Sequence, residues 1–215
     1  MNDKINVMVV EDQAMPRQLF ETILRSSPRF HLAVSIDNAA IADICCARHE
    51  VDLVLMDVVT KNGASGLLAA EKIKAQNPKV KIIIVTSMPE CSYVERAKKI
   101  GVEGFWYKDL SREPILSLIE RVLAGEQVYP NEKPKITLGL ADSGEFTARE
   151  LEVLREMTGG FTNAEIAETL GISANAVRNH IMHMLEKTGF RSRTELAVRA
   201  RETGLVIRER GEEDL

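Results

Sequence analysis

Five short apolar runs alternate with helical patterns along the first half of this chain. The runs are Ile5 to Val10, His31 to Ile36, Val51 to Met56, Val80 to Val85 and Val102 to Tyr107; the helical patterns lie near 14–26, 38–49, 66–76, 90–100 and 111–124. Runs so short, β-branched and nearly continuous suit strands buried on both faces, and their alternation with helices implies right-handed βαβ units. The expected class is α/β, a five-stranded doubly wound parallel sheet. Its strands all point the same way, so residues at their C-terminal ends gather on one edge, where open α/β sheets bind ligands. Chemically pointed groups stand at four of those ends: Glu11-Asp12, Asp57, Thr86 and Lys108.

The 215 residues (24.0 kDa) suffice for two ordinary domains, each able to bury its own core. A formal net charge of -4 and a pI near 5.7 give no global cationic field, so any contact with nucleic acid must use a local patch. The start of the chain enters an apolar strand without a signal-peptide core, and no stretch approaches the ~20 apolar residues that span a bilayer. A cytoplasmic protein with no membrane association is expected. Cys45, Cys46 and Cys91 form neither a CxxC pattern nor an even disulfide set, and they are assigned no function.

The pattern changes after residue 125. Residues 126–144 collect Gly, Pro, Asn, Asp and Ser without sustained periodicity and read as a linker between a domain at 1–125 and a second at 145–215. In the second, strand signals stop and three helix starts follow. Thr147 with Glu150 and Thr162 with Glu165 are capping boxes, and Ser173 caps the third start. A smaller all-α domain is therefore expected. Gly171-Ile172-Ser173 is the short connection of a helix-turn-helix, whose second helix can enter the major groove of DNA. Val177, Ile181, Met184, Leu185 and Thr188 form its core stripe, leaving Arg178, Asn179 and Met182 on the other side. Between Arg178 and Arg201 six Lys or Arg stand against Glu186 and Glu195, which supplies a local basic patch.

The strand-end groups fit phosphoryl transfer onto a carboxylate. Glu11, Asp12 and Asp57 offer hard oxygen ligands of the kind Mg²⁺ prefers, Lys108 a cation for a phosphate oxygen, and Thr86 a hydroxyl for another. These residues, with Gly104-Phe105-Trp106-Tyr107-Lys108-Asp109 around the fifth strand, resemble the receiver domain of two-component response regulators over about residues 5 to 125. The resemblance implies a CheY-like receiver with Asp57 as phosphoacceptor. It also implies an Mg²⁺ site from Glu11, Asp12, Asp57 and the Val59 carbonyl, with Lys108 and Thr86 as phosphate-stabilising and switch groups. Phe105 falls at the family's switch aromatic; from its sequence it reads equally as a core residue of the last strand.

In the second domain, Phe146 to Leu154, Gly160 to Ala167, Ile172-Ser173, Val177 to His180 and Lys187 resemble the LuxR-type helix-turn-helix, and the whole chain is similar to NarL/FixJ-family response regulators. The resemblance implies base contacts from Arg178, Asn179 and Met182, phosphate-side contacts from Thr162, Asn163, Lys187, Arg191 and Arg193, a sensor histidine kinase and double-stranded DNA as partners, and a homodimer when phosphorylated. Phosphorylation at Asp57 would control DNA binding and transcription, with no activity beyond the receiver's own Mg²⁺-dependent phosphoryl transfer and dephosphorylation.

Two departures matter. Ala176 and Arg178 stand where the family more often has Thr and Lys, and Met182 where it is often polar or basic. The loop Asp57-Val58-Val59-Thr60-Lys61-Asn62-Gly63-Ala64-Ser65-Gly66 runs one residue longer than the family's. A longer loop leaves open an alternative: a constitutive DNA-binding transcription factor with a non-phosphorylated pseudo-receiver used for dimerisation or protein interaction. An aspartate-nucleophile phosphatase of DxDxT type is disfavoured, because Val59 occupies the place of the second aspartate and cannot transfer a proton.

Overall fold

The structure, a computed structural model, describes residues 4–88, 90, 92–108, 111, 113–131 and 135–206; Cys91, Asp109 and the acidic tail 209–215 lie outside them. The chain divides into two compact units, the first built mainly from residues 1–88 and 94–131 and the second mainly from residues 132–208.

In the first unit, strands β1 (Ile5–Val10), β2 (Phe30–Ile36), β3 (Leu53–Met56), β4 (Lys81–Thr86) and β5 (Gly104–Tyr107) alternate with helices α1 (Ala14–Ser26), α2 (Ala42–Arg48), α3 (Gly66–Gln76), α4 (Ser92–Ile100) and α5 (Ile115–Leu123). The sheet is wholly parallel in the order β2-β1-β3-β4-β5, the expected doubly wound arrangement. Alternate residues point to opposite faces of a strand. Val7, Val9, Leu53, Leu55, Ile83 and Val85 pack on Phe20 and Leu24 of α1 and on Ile115, Leu118, Ile119 and Val122 of α5. Met8, Val10, Val54, Met56, Ile82 and Ile84 on the other face are equally buried. Two covered faces explain why the runs lack polar alternation, and each such side chain stabilises the fold by roughly 1.5–3 kcal/mol. From β1 the winding goes outward in both directions, to β2 and to β3, so the crevice at the C-terminal ends of β1 and β3 is the switch point of the sheet.

Both ends of the span expected as a linker are ordered. Val128 extends the sheet edge beside Gly104, donating to the Glu103 carbonyl at 2.8 Å and accepting from Phe105 N–H at 2.9 Å. Thr137–Leu138 pairs with Ala141–Asp142 in a small hairpin, and Ile136, Leu138 and Ala141 join the core of the second unit.

That unit holds helices α6 (Ala148–Thr158), α7 (Asn163–Leu170), α8 (Ala174–Thr188) and α9 (Arg193–Thr203). Both capping boxes form as the sequence predicts, and Ser173 Oγ accepts the Ala176 N–H at 3.1 Å. Gly171, with φ 63°, takes the left-handed conformation that ends α7 and turns the chain into α8. The sequence reading omitted α9. Its N-cap Ser192 accepts from Glu195 N–H, and Leu196 and Ala200 enter a core with Leu151, Leu154, Ile166, Val177, Ile181 and Met184. Among the described residues no helix is long and apolar enough to cross a membrane.

Candidate functional site

Asp57 N–H donates to the Val10 carbonyl at 2.9 Å, so adjacent strands bring Asp57 beside the acidic pair that follows β1. Carboxylate oxygens of Glu11, Asp12 and Asp57 lie within 4.8 Å of one another. Glu11 and Asp57 are buried, at 0% and 4% exposure. From the end of β5, Lys108 N–H donates to the Thr86 carbonyl at 2.9 Å, and its Nζ donates to Glu11 Oε2 at 2.5 Å and Asp57 Oδ2 at 2.9 Å. Asp57 Oδ1 accepts the Val58 N–H at 2.7 Å. Thr86, buried at the end of β4, accepts from Met88 N–H at 3.1 Å through its hydroxyl oxygen. The four strand ends named from the sequence thus meet on one edge.

Glu11 and Asp57 share the Lys108 ammonium, and the acidities of these two carboxyls record the crowding. Burial, then the neighbouring charge of Asp57, push Glu11 up to about 7. Burial also raises Asp57, against the pull of Lys108 and the Val58 N–H. For Lys108, burial favours the neutral amine, but Asp57 and Glu11 outweigh it and hold the ammonium above its ordinary range. The excess negative charge and hard-oxygen donor set fit a divalent cation, so this cluster can hold a metal ion. One contributor escaped the sequence reading. Arg17 Nη1 donates to the Glu11 carbonyl at 2.8 Å, tying the end of β1 to α1.

The longer loop is folded rather than slack. Val59–Thr60 and Ala64–Ser65 form a short antiparallel hairpin whose turn contains Asn62 and Gly63 at φ 62° and 78°. Thr60, buried, accepts Ala39 N–H at 2.8 Å and donates to the Ala64 carbonyl at 3.3 Å. Val59 stands opposite Ser65 at the hairpin's start. Gly66 N–H donates to the Val58 carbonyl at 2.7 Å, so close that a Cβ on Gly66 would sit 1.8 Å from the Asp57 carbonyl oxygen. Phe105 is buried, its ring 4.9 Å from that of Tyr107.

In the second unit, α8 turns Val177, Ile181, Met184 and Thr188 inward and leaves Arg178, Asn179 and Met182 exposed, as the apolar spacing predicts. The phosphate-side candidates are arranged unequally. Thr162 Oγ1 bonds within its capping box, Arg193 donates to Asn163 Oδ1 at 3.0 Å and the Phe161 carbonyl at 2.7 Å, and Lys187 pairs with Glu150 at 2.7 Å. Among the described residues, no hydrogen bond or ion pair engages the side chain of Arg191.

The two units correspond to two known families. Residues 7–120 match the response regulator receiver domain, and residues 145–200 match the bacterial regulatory proteins of the luxR family. The transcriptional regulatory protein DesR of Bacillus subtilis is 31% identical over 201 residues, covering 93% of this chain and 98% of DesR. An uncharacterized transcriptional regulatory protein of the same organism, YxjL, is 28% identical and covers 95% of this chain and 98% of its own. RcsB of Salmonella enterica serovar Typhimurium, solved bound to promoter rprA with the phosphomimetic BeF3-, shares the fold at a TM-score of 0.60 and 17% identity, covering 90% of this chain and 96% of RcsB. With both family matches in chain order and a full-length relative above 30% identity, the chain belongs to the two-component response regulators that join a receiver domain to a LuxR-type DNA-binding domain and regulate transcription.

Proposed function

We propose that Asp57 accepts a phosphoryl group from the phosphohistidine of a sensor histidine kinase, and that this modification controls binding of the second unit to double-stranded DNA. The observation that carries the reading is Lys108 Nζ held between Glu11 and Asp57 at the switch point of the sheet, with Asp12 completing the carboxylate cluster. An Asp57 carboxylate oxygen attacks phosphorus; the P–O bond forms as the P–N bond to the donor imidazole breaks, and the leaving nitrogen keeps the electron pair. Lys108, bonded to Asp57 Oδ2, is the cation that pairs with a phosphoryl oxygen in this reading, and the Thr86 hydroxyl is the switch group drawn toward another. Glu11, Asp12, Asp57 and the Val59 carbonyl would hold Mg²⁺, which supplies charge neutralisation on the phosphoryl oxygens. The receiver promotes only its own phosphoryl transfer and dephosphorylation, without turnover of an external substrate.

The phosphate adds about -1.5 to -2 charge, enough to bias a two-state element that includes Thr86 and Phe105. The division we propose is a receiver at 1–125, a connecting segment at 126–144 with its ends ordered as described, and a DNA-binding domain at 145–215. Arg178, Asn179 and Met182 face bases, and the phosphate side is formed around Thr162, Asn163, Arg191 and Arg193, with Lys187 positioning α8 through its pair with Glu150. The phosphorylated protein acts as a homodimer in the cytoplasm. RcsB solved on promoter DNA with a phosphomimetic supports this reading by similarity of fold.

The test is DNA affinity on duplexes enriched from a random pool, with and without acetyl phosphate and Mg²⁺, for the wild type and Asp57→Asn. Tighter binding after phosphorylation in the wild type alone is expected. Equal affinity in both states would contradict phosphorylation control.

A further inference from the structure

The outer face of α8 carries a stripe of exposed residues one helical turn apart: Arg178, Asn179, Met182, His183 and Glu186. Met182 is 49% exposed, although the same helix has a buried side on which a methionine, Met184, is fully covered. Among the described residues, no hydrogen bond or ion pair engages the side chain of Arg178 or Asn179. Thr162, Asn163, Lys187 and Arg193, by contrast, all have partners inside the unit. Toward the start of the stripe, Arg178, Asn179 and Met182 thus form one open patch, a guanidinium, a carboxamide and a thioether, with His183 and Glu186 beyond it.

We propose that Met182 is a specificity-determining residue that selects a thymine in the DNA half-site by packing on its 5-methyl group. The inference rests on the DNA-binding reading above and deepens it by naming a base. In the major groove every base edge presents polar groups, and the thymine methyl is the one apolar feature. A thioether donates no hydrogen bond and accepts only weakly, so against any polar edge it would strip water and return nothing. Against a methyl group it removes apolar surface from water on both sides.

The spacing places that thymine. Residues 178 and 182 are four positions apart, roughly 6 Å along the axis at 1.5 Å per residue, and successive base pairs rise about 3.4 Å. Met182 therefore reads one or two base pairs from the base met by Arg178. Arg178 suits guanine, through its O6 and N7, and Asn179 suits adenine, through N6 and N7. Glu186, on the same face nearer the C-terminus of α8, repels phosphate. That sets the N-terminal half of the helix into the groove, as in other helix-turn-helix proteins. The preferred half-site then contains a guanine and a thymine within two base pairs.

The experiment uses the full chain with acetyl phosphate and Mg²⁺. A site is first enriched from a random duplex pool, then resynthesised with deoxyuridine replacing each thymine singly. Deoxyuridine keeps every hydrogen-bonding group and removes only the methyl. The wild type is expected to lose about fourfold in affinity at one thymine per half-site, the value of one buried methyl. Met182→Ala should bind more weakly and be indifferent to that replacement, while Met182→Leu should retain the sensitivity. Enrichment of a site at which no uracil replacement distinguishes wild type from Met182→Ala would overturn the thymine assignment and leave the proposed function standing. Failure to enrich any sequence would overturn both.

Discussion

Lys187 Nζ donates to both carboxylate oxygens of Glu150, at 2.8 and 2.7 Å, and to the Glu145 carbonyl at 2.9 Å. All three donors of the ammonium are thereby engaged inside the second unit. Glu150 is 4% exposed and lies in the first turn of α6, whereas Lys187 lies in the last turn of α8. Burial opposes the Glu150 charge, but Lys187 and the Thr147 N–H and hydroxyl prevail and hold its carboxyl below the usual range. The pair ties the two helices together, so Lys187 is a positioning residue for α8.

Lys187→Met should therefore destabilise the second unit by about 1–3 kcal/mol in urea unfolding, chiefly by leaving the buried Glu150 carboxylate without its cation. The salt dependence of DNA binding should stay as in the wild type. Arg191→Ala should have the opposite profile, with stability nearly unchanged and the slope of log affinity against log salt reduced by about one. A reduced slope for Lys187→Met would show that its charge reaches phosphate.

Glu11 would make metal binding at the carboxylate cluster depend on pH. Its folded-state pKa, about 7, lies above the ordinary 4.5. In the metal-free protein its contribution to stability is fully present below about 4.5 and is lost as pH rises through about 7, where the Glu11 charge must be held in a buried site beside Asp57. A divalent ion reverses the preference because it needs the ionised form. Calorimetric Mg²⁺ titration should therefore show affinity rising from pH 6 to pH 8, with protons released on binding at the lower pH. Glu11→Gln should flatten that profile; an unchanged profile would place the titration elsewhere.

Gly66 fixes how closely the loop returns to Asp57, the proposed phosphoacceptor. A Cβ there would lie 1.8 Å from the Asp57 carbonyl oxygen and 3.0 Å from Met56 Cγ, and the first is backbone that cannot swing away. Gly66→Ala should cost about 3 kcal/mol in urea unfolding and impair phosphorylation of Asp57. Gly101→Ala is the comparison: φ is 85° but the space is open, so a cost of only about 1 kcal/mol is expected, with phosphorylation intact.

The legible parts of the chain were those whose physics repeats over several residues. Strand-end chemistry could be read because parallel strands carry Asp57, Thr86 and Lys108 to one edge whatever the helices between them do. Capping boxes at Thr147 and Thr162 could be read because both partners lie within three residues. Helix α9 was passed over although Ser192 and Glu195 stand at capping spacing, since only Leu196 and Ala200 are buried along it and no apolar stripe emerges. The hairpin at 137–142 has strands of two residues, too short for alternation to register. Nor does spacing reveal the partners of Lys187 and Arg193. Glu150 and Asn163 are 37 and 30 residues away, and only the packed core brings them near.

The most direct test of the central claim is intact-protein mass after incubation with acetyl phosphate, with and without Mg²⁺, for the wild type and Asp57→Asn. The account predicts a single phosphoryl adduct that requires Mg²⁺ and is absent from Asp57→Asn. No adduct under any condition, or an adduct that survives the substitution, would contradict it.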